Sequence, residues 1–315
     1  MGRDTSSEAQ SPAGALRSRH ARGCRSLPLA SLIWRGGRVQ NGAHPRRRLM
    51  TQIETRIRNS HAAMPTVVGM VERFGAEHRI PCNVVNDINV ALDEMLNNII
   101  SYAYRPGEQG DILVRLTMRS GEITVEIEDR GRPFDPLEAP SPDLSAQLRD
   151  RKVGGLGIHF VKQLMDDVAY ARVADTNRLR LRKRLDAMGR AQRLNAGSEY
   201  WENGMEIVEI HRGPVVIVEP RGRIDTTGAK PFGDRVAALI GAGSHHLLID
   251  LQHILYISSA GFRALLVAHK LVDDSQGKLV ICGVSSELHR LFEIGRFLDL
   301  FTICATRDEG IARAS

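Results

Sequence analysis

"ALDEMLNNIISYAY", Ala91–Tyr104, places a glutamate and two asparagines inside an otherwise apolar run. At helical spacing Ile88, Leu92, Met95, Ile99 and Ala103 share one stripe, and Asp87, Ala91, Glu94, Asn98 and Ser101 share another. Glu94 and Asn98 lie one turn apart and project side by side, with Asn97 adjacent in register. The polar face of an amphipathic helix is ordinarily solvated, so this pair gains meaning only from the sequence around it.

Working outward, the spacing predicts a helix over residues 87–104, closed by Pro106 and Gly107. Upstream, residues 53–80 read as one helix ending at Pro81. Downstream, "DILVRLTM" (111–118) and "EITVEIED" (122–129) alternate apolar and polar residues about the turn "RSGE", which predicts an antiparallel hairpin. "GLGIHFVKQLMDD" (155–167) reads as a helix. "VAYARV" (168–173) and "NRLRLRKRL" (177–185) read as a second hairpin. Helices gathered beside an antiparallel sheet predict an α+β layered domain over residues 50–185.

Residues 186–204 are polar and without sustained periodicity, as expected of a linker. From residue 205 to 315 an opening hairpin gives way to alternating strands and helices, which predicts an α/β domain with a mixed, largely parallel sheet. Residues 1–49 hold ten arginines, no lysine and two acids, a charge of +8 against +6 for the whole chain, so residues 50–315 carry −2. The basic balance belongs to this tail, expected to be a disordered extension, and the remainder offers no electrostatic case for a nucleic-acid partner. No apolar run approaches the ~20 residues that span a bilayer. Cys24, Cys82, Cys282 and Cys304 stand far apart, as free thiols of a reducing, cytoplasmic compartment would.

Two further motifs bear on the first domain. "EDRGRPFDP" sets Asp129 at a strand end, where a carboxylate can accept a hydrogen bond from an exocyclic amine, with Gly131 letting a ring approach the backbone. "VGGLGIHFVKQL" runs from glycines 154, 155 and 157 into a helix whose first N–H groups suit a phosphate. Each has a plain structural alternative, a strand-ending turn and a loop. Their order is more specific. Glu-x-x-x-Asn on a helix, then Asp-x-Gly-x-Pro, then Gly-Gly-x-Gly opening a helix resembles the histidine-kinase-like ATPase superfamily, with its Bergerat sandwich, and within it the bacterial anti-sigma-factor serine kinases. A sensor histidine kinase would need a helical hairpin carrying an acceptor histidine, and His61 is followed by Ala62 and Ala63.

That resemblance implies ATP and Mg²⁺ as cofactors. Asn98 would hold the metal against the phosphates, and Glu94 would be the base toward an acceptor hydroxyl. Asp129 would read adenine beside Gly131, and Gly155 and Gly157 would lie near the phosphates. "LLIDLQHILYISSAGFRALLVAHKL" (247–271) resembles the anti-sigma-factor antagonists, the STAS domains. The resemblance implies a phosphorylated serine before the helix, placed at Ser259 by alignment on Gly261, with Ser258 in reserve; either could instead cap the helix. Many phosphorylated members carry an acidic residue where this chain has Ser258. "GRIDTTGA" (222–229) matches the family's exposed docking loop. The implied function is a regulatory serine kinase and anti-sigma factor that phosphorylates its own or a partner's STAS domain in a partner-switching pathway controlling transcription. Its implied partners are a sigma factor or other target, an antagonist protein, and a second copy through the kinase domain. The alternative is a non-catalytic, ATP-dependent switch in which the STAS domain occupies the kinase-like surface.

Overall fold

The computed structural model describes residues 50–138, 142, 155–185 and 205–315; the expected tail, the expected linker and Gly154 lie outside them. Two sheets organise the rest. The first is five-stranded and antiparallel, in the order β1-β2-β3-β5-β4: β1 (Thr51–Arg58), β2 (Asp111–Arg119), β3 (Glu122–Asp129), β4 (Asp167–Val173) and β5 (Thr176–Arg184). Ile112, Val114 and Leu116 of β2, Ile123, Val125 and Ile127 of β3, and Leu179 and Leu181 of β5 are buried, so period-2 patterning puts one face against α1 (Met64–His78), α2 (Cys82–Asn98) and α3 (Leu156–Leu164).

The first expected helix needs correction. Residues 51–58 form a strand paired with β2 from Thr51↔Met118 to Arg58↔Asp111, and α1 begins only at Met64. Ile53 and Ile57 satisfy both an i, i+4 helical stripe and a period-2 face. The exposed Gln52, Glu54, Arg56 and Arg58 settle on the strand's open face. Chain reversal before α2 uses Arg79 in the left-handed region (φ 53°), and Pro81 caps α2 rather than merely ending α1, because a helix start has no need of its missing N–H. The expected helix over 87–104 therefore starts five residues earlier. It is α-helical to Asn98 and continues as one π-helical turn, Ile99–Ala103. The helix expected over 155–167 stops at Leu164, because Asp167 already pairs with Arg182 in the sheet.

The second sheet is mixed, in the order β11-β10-β8-β7-β6. It contains β6 (Glu206–Arg212), β7 (Val215–Ile224), β8 (His246–Asp250), β10 (Lys278–Cys282) and β11 (Thr302–Ile303), parallel except for the opening β6–β7 hairpin. A short β9 (Ile254–Ile257), not foreseen in the sequence, pairs with the far end of β7 across a register shift between Gly222 and Arg223. Helices α4 (Thr226–Gly241), α5 (Ser259–Asp274) and α6 (Ser286–Ile294) cover one face. A closing helix α7 (Arg307–Ala314), also unforeseen, is tied down by Arg307, whose guanidinium bridges the buried carboxylates of Asp250 and Glu219.

The apolar core is continuous between the two domains. Phe160 of α3 stacks on Phe262 of α5 at 5.4 Å, and Phe262 stacks in turn on Phe297 at 4.3 Å. Phe160, Phe262 and Phe297 are each 0% exposed. Helices α2 and α3 thus face α4, β9, α5 and α6.

Candidate functional site

The carboxylates on the polar side of α2 are not solvated. Asp87, Asp93 and Glu94 are all buried, because the second domain covers them. Each is matched by a group from that domain. Asp87 takes Arg290 of α6 at 3.0 Å, besides Lys183 of β5 at 2.7 Å. Asp93 accepts from the Thr226 N–H at 3.2 Å and from its hydroxyl at 2.7 Å. At the centre Glu94 receives Ser259 twice. The backbone N–H donates to Oε1 at 2.7 Å and the hydroxyl to Oε2 at 2.7 Å.

Ser259 opens α5, whose capping residue is Ser258. Neither serine caps the helix through its side chain: the Ser258 hydroxyl donates to the Ile224 carbonyl at 3.3 Å, while that of Ser259 turns to Glu94. The two serines expected as acceptor and reserve therefore differ in geometry, and only Ser259 meets the carboxylate. Arg263, one turn along α5, donates to the Ser259 oxygen at 2.9 Å. The hydroxyl thus sits between a carboxylate acceptor and a cation. Burial raises the Glu94 pKa, opposed by the two Ser259 hydrogen bonds and the Arg263 charge. A carboxylate with raised proton affinity, in contact with a hydroxyl hydrogen, has what a general base requires.

Gly157 joins this centre. A Cβ there would lie 2.0 Å from Glu94 Oε2 and 3.3 Å from Ser259 Oγ, so the third residue of the Gly-x-Gly run is a close approach of α3 to the carboxylate and hydroxyl. Gly155 precedes α3 with φ 82° and provides no side-chain cap.

The remaining expected residues lie beyond that junction. Asn97 is engaged by His61 at 2.9 Å, whereas the Asn98 side chain, half-buried one turn beyond Glu94, makes no hydrogen bond among the described residues. Asp129 is 4% exposed. Its Oδ1 accepts from the Gly131 N–H at 2.7 Å and from Asn177 at 2.9 Å, and burial raises its pKa against those bonds and the Arg172 charge. Its Oδ2 has no hydrogen-bond partner among the described residues, which leaves an acceptor for an amine. A Cβ at Gly131 would meet Ala103 at 2.5 Å, so this glycine is required by packing against the π-helical turn. No group of His, Cys, Asp and Glu among the described residues could hold a metal by itself. A Mg²⁺ held by one amide and by nucleotide phosphates fits that donor set. Among the described residues the Asn98 amide and the second Asp129 oxygen are unengaged and the start of α3 has no side-chain cap, which fits a magnesium nucleotide.

Three contributors were not foreseen, and a fourth lies in the loop expected to dock. Asn177 stands opposite Asp129 in the β3–β5 register and orients it, itself held by Tyr170 and Arg172. Arg263 had a legible signal, its i+4 spacing from Ser259. Thr226 lies in the expected docking loop but binds through both its N–H and hydroxyl, and its partner Asp93 looked like one more polar residue beside Glu94.

Asp93 carries a pH dependence. Burial first, then the neighbouring Glu94 charge, raise its pKa to about 7, with Thr226 opposing and Asp225 adding to the rise. A solvated aspartate titrates near ~4. Below that value Asp93 is neutral in either environment, and from there to about 7 the buried, docked form holds the extra proton. Stability present at low pH is accordingly lost as pH rises through 7. Asp93→Asn, neutral throughout, is expected to flatten this slope and to be more stable than the parent at pH 8.5, by on the order of a few kcal/mol. Urea midpoints of both chains at pH 5.5 and 8.5 decide it; a constant offset between them would refute the assignment.

Residues 57–183 match the histidine kinase-like ATPase domain family and residues 206–310 the STAS domain family. The serine/threonine-protein kinase BtrW of Bordetella bronchiseptica is 35% identical over 94 residues, 30% of this chain and 66% of that protein. BtrV of the same organism, described as an anti-sigma factor antagonist, is 32% identical over 92 residues, 29% of this chain and 79% of that protein. The serine-protein kinase RsbW of Listeria monocytogenes is 27% identical over 104 residues, 32% of this chain and 64% of that protein. The matched segment thus spans about two thirds of each kinase relative.

Proposed function

Since this chain belongs to the histidine kinase-like ATPase and STAS domain families, joined in that order, we propose that it is a serine kinase whose acceptor is Ser259 of its own STAS domain. The observation that carries this reading is the 2.7 Å hydrogen bond from the Ser259 hydroxyl to Glu94 Oε2 within one chain. A bound magnesium nucleotide would supply the transferable γ-phosphoryl group, with Mg²⁺ offsetting phosphate charge. Asn98 would contribute an oxygen ligand to that metal, Asp129 would accept from the base's exocyclic amine, and the start of α3 at Gly155 would face the phosphates. Glu94 takes the hydroxyl proton of Ser259, and the surrounding burial keeps water from competing for the phosphoryl group.

Phosphorylation would place a charge of about −1.5 to −2 beside a buried carboxylate. The STAS domain would then leave α2 and α3, and the surface it had covered could bind a sigma factor or another regulatory target. Two related kinases and an antagonist among the similar proteins support this partner-switching role. Among the described residues no helix is long and apolar enough to cross a membrane.

The test is peptide mass spectrometry of the purified chain after incubation with Mg-ATP, beside Asn98→Ala. One phosphate on Ser259, absent from the variant, is the expected result. Nucleotide binding with no phosphate on this serine, or on that of an added antagonist domain, would sink the kinase reading and favour an ATP-dependent docking switch. Mixing a Glu94→Gln chain with a Ser259→Ala chain distinguishes transfer between chains from transfer within one.

A further inference from the structure

We propose that Arg263 is the phosphate-holding residue of the STAS domain: it steadies the Ser259 oxygen before transfer and carries the phosphoryl group once it has arrived. The proposal rests on Ser259 being the acceptor, but it concerns a residue to which the motifs assigned nothing.

Three observations carry it. Arg263 Nη2 already donates to the Ser259 oxygen at 2.9 Å, so the guanidinium touches the atom that would form the new bond. Its Nε is fully buried and has no hydrogen-bond partner among the described residues. A buried guanidinium N–H without an acceptor is costly and uncommon, and this one belongs to the group already bound to the hydroxyl. A phosphoryl group on that hydroxyl would supply oxygens to a guanidinium fork, which suits phosphate. Finally, Arg263 is the cation whose charge acts on Glu94, in a centre that also holds Asp93, with Asp225 nearby. A new phosphate among those carboxylates needs a compensating cation.

The order of events follows from where the residues sit. In transfer the bond from Ser259 Oγ to the γ-phosphorus forms while the bond from that phosphorus to the β–γ bridging oxygen of the nucleoside triphosphate breaks. The Oγ proton passes to Glu94, and the nucleoside diphosphate leaves. Glu94 belongs to α2 of the kinase domain, whereas Ser259 and Arg263 are one turn apart on α5. When the domains separate, the repelling carboxylate stays behind and the cation travels with the phosphate. Arg263 therefore supports the docked hydroxyl and the released phosphoserine alike.

The experiment places phosphoserine at position 259 during translation of the full chain and follows its ³¹P resonance against pH, in the parent, Arg263→Lys and Arg263→Ala. A free phosphoserine has its second pKa near ~6. The parent is expected to titrate below that value, Arg263→Ala about half a unit to one unit higher than the parent, and Arg263→Lys in between. Lysine keeps the charge and the stem, so it reports even where alanine impairs folding. Coincident titrations in the parent and Arg263→Lys, with Arg263→Ala unmoved or unfolded, overturn the proposal, as does a parent value at or above that of free phosphoserine. In parallel, single-turnover phosphorylation of Ser259 is expected to slow roughly 10- to 100-fold in Arg263→Ala, in line with losing a charged hydrogen bond. Because the phosphate is installed without the kinase, a parent chain that never phosphorylates Ser259 refutes the kinase reading alone, and the ³¹P comparison still decides the role of Arg263.

Discussion

Glu94→Gln is expected to slow single-turnover phosphorylation of Ser259 by about 10²- to 10⁴-fold, the range over which a positioned general base acts. The substitution is chosen to change little else. Gln retains the length of Glu94 and an oxygen that can accept from the Ser259 N–H, now 2.7 Å from Oε1. What it removes is the anionic oxygen that accepts the hydroxyl's hydrogen bond and would take its proton. Nucleotide affinity should be unaltered, since Glu94 is covered by the second domain and Asn98, one turn on, is intact. Quench-flow with mass detection, alongside nucleotide titration of the same sample, makes the comparison. A rate within threefold of the parent, with binding unchanged, would mean that Glu94 only positions Ser259.

The second large effect is expected at Gly157. Its alanine variant would drive a carbon to 2.0 Å from Glu94 Oε2 and 2.8 Å from Cδ, so the carboxylate must move. The carboxylate is the far end of a side chain and can yield, but yielding breaks its bond with Ser259. Losing a hydrogen bond to a charged group costs about 1.5–3 kcal/mol, which converts to roughly 10- to 150-fold in rate. The glycine lies inside α3, where alanine favours the helix by about 1 kcal/mol. Slower transfer in Gly157→Ala with undiminished helix content thus locates the fault at the carboxylate. Unchanged transfer would show that α3 can retreat from α2 at no cost.

Much of this was legible in the sequence where pattern and geometry coincide. The hairpin β2–β3 alternates cleanly and was placed to within one residue, β2 running on to Arg119, and α5 begins at Ser259 as its apolar periodicity requires. Residues 51–58 misled because isoleucines at i and i+4 serve a helix and a strand equally, and only the pairing with β2 decides. β9 was hidden because a four-residue apolar run beside a helix start has too little length for its period to show. The junction itself was legible only in halves. Glu94 and Ser259 were each singled out, 165 residues apart, but that one covers the other is a fact of tertiary packing. For the same reason the Glu94–Asn98 pair taken alone suggested no more than an ordinary solvated face, whereas the carboxylates of α2 are matched by Thr226, Ser259 and Arg290.

The stack of Phe160 on Phe262 adds a consequence of a different kind. Parting the domains would wet two aromatic rings that are now dry, so closure carries a negative heat-capacity change. Apolar association of this sort weakens on cooling. The contribution of these rings to closure is therefore expected to be smaller in a chilled molecule than in a warm one.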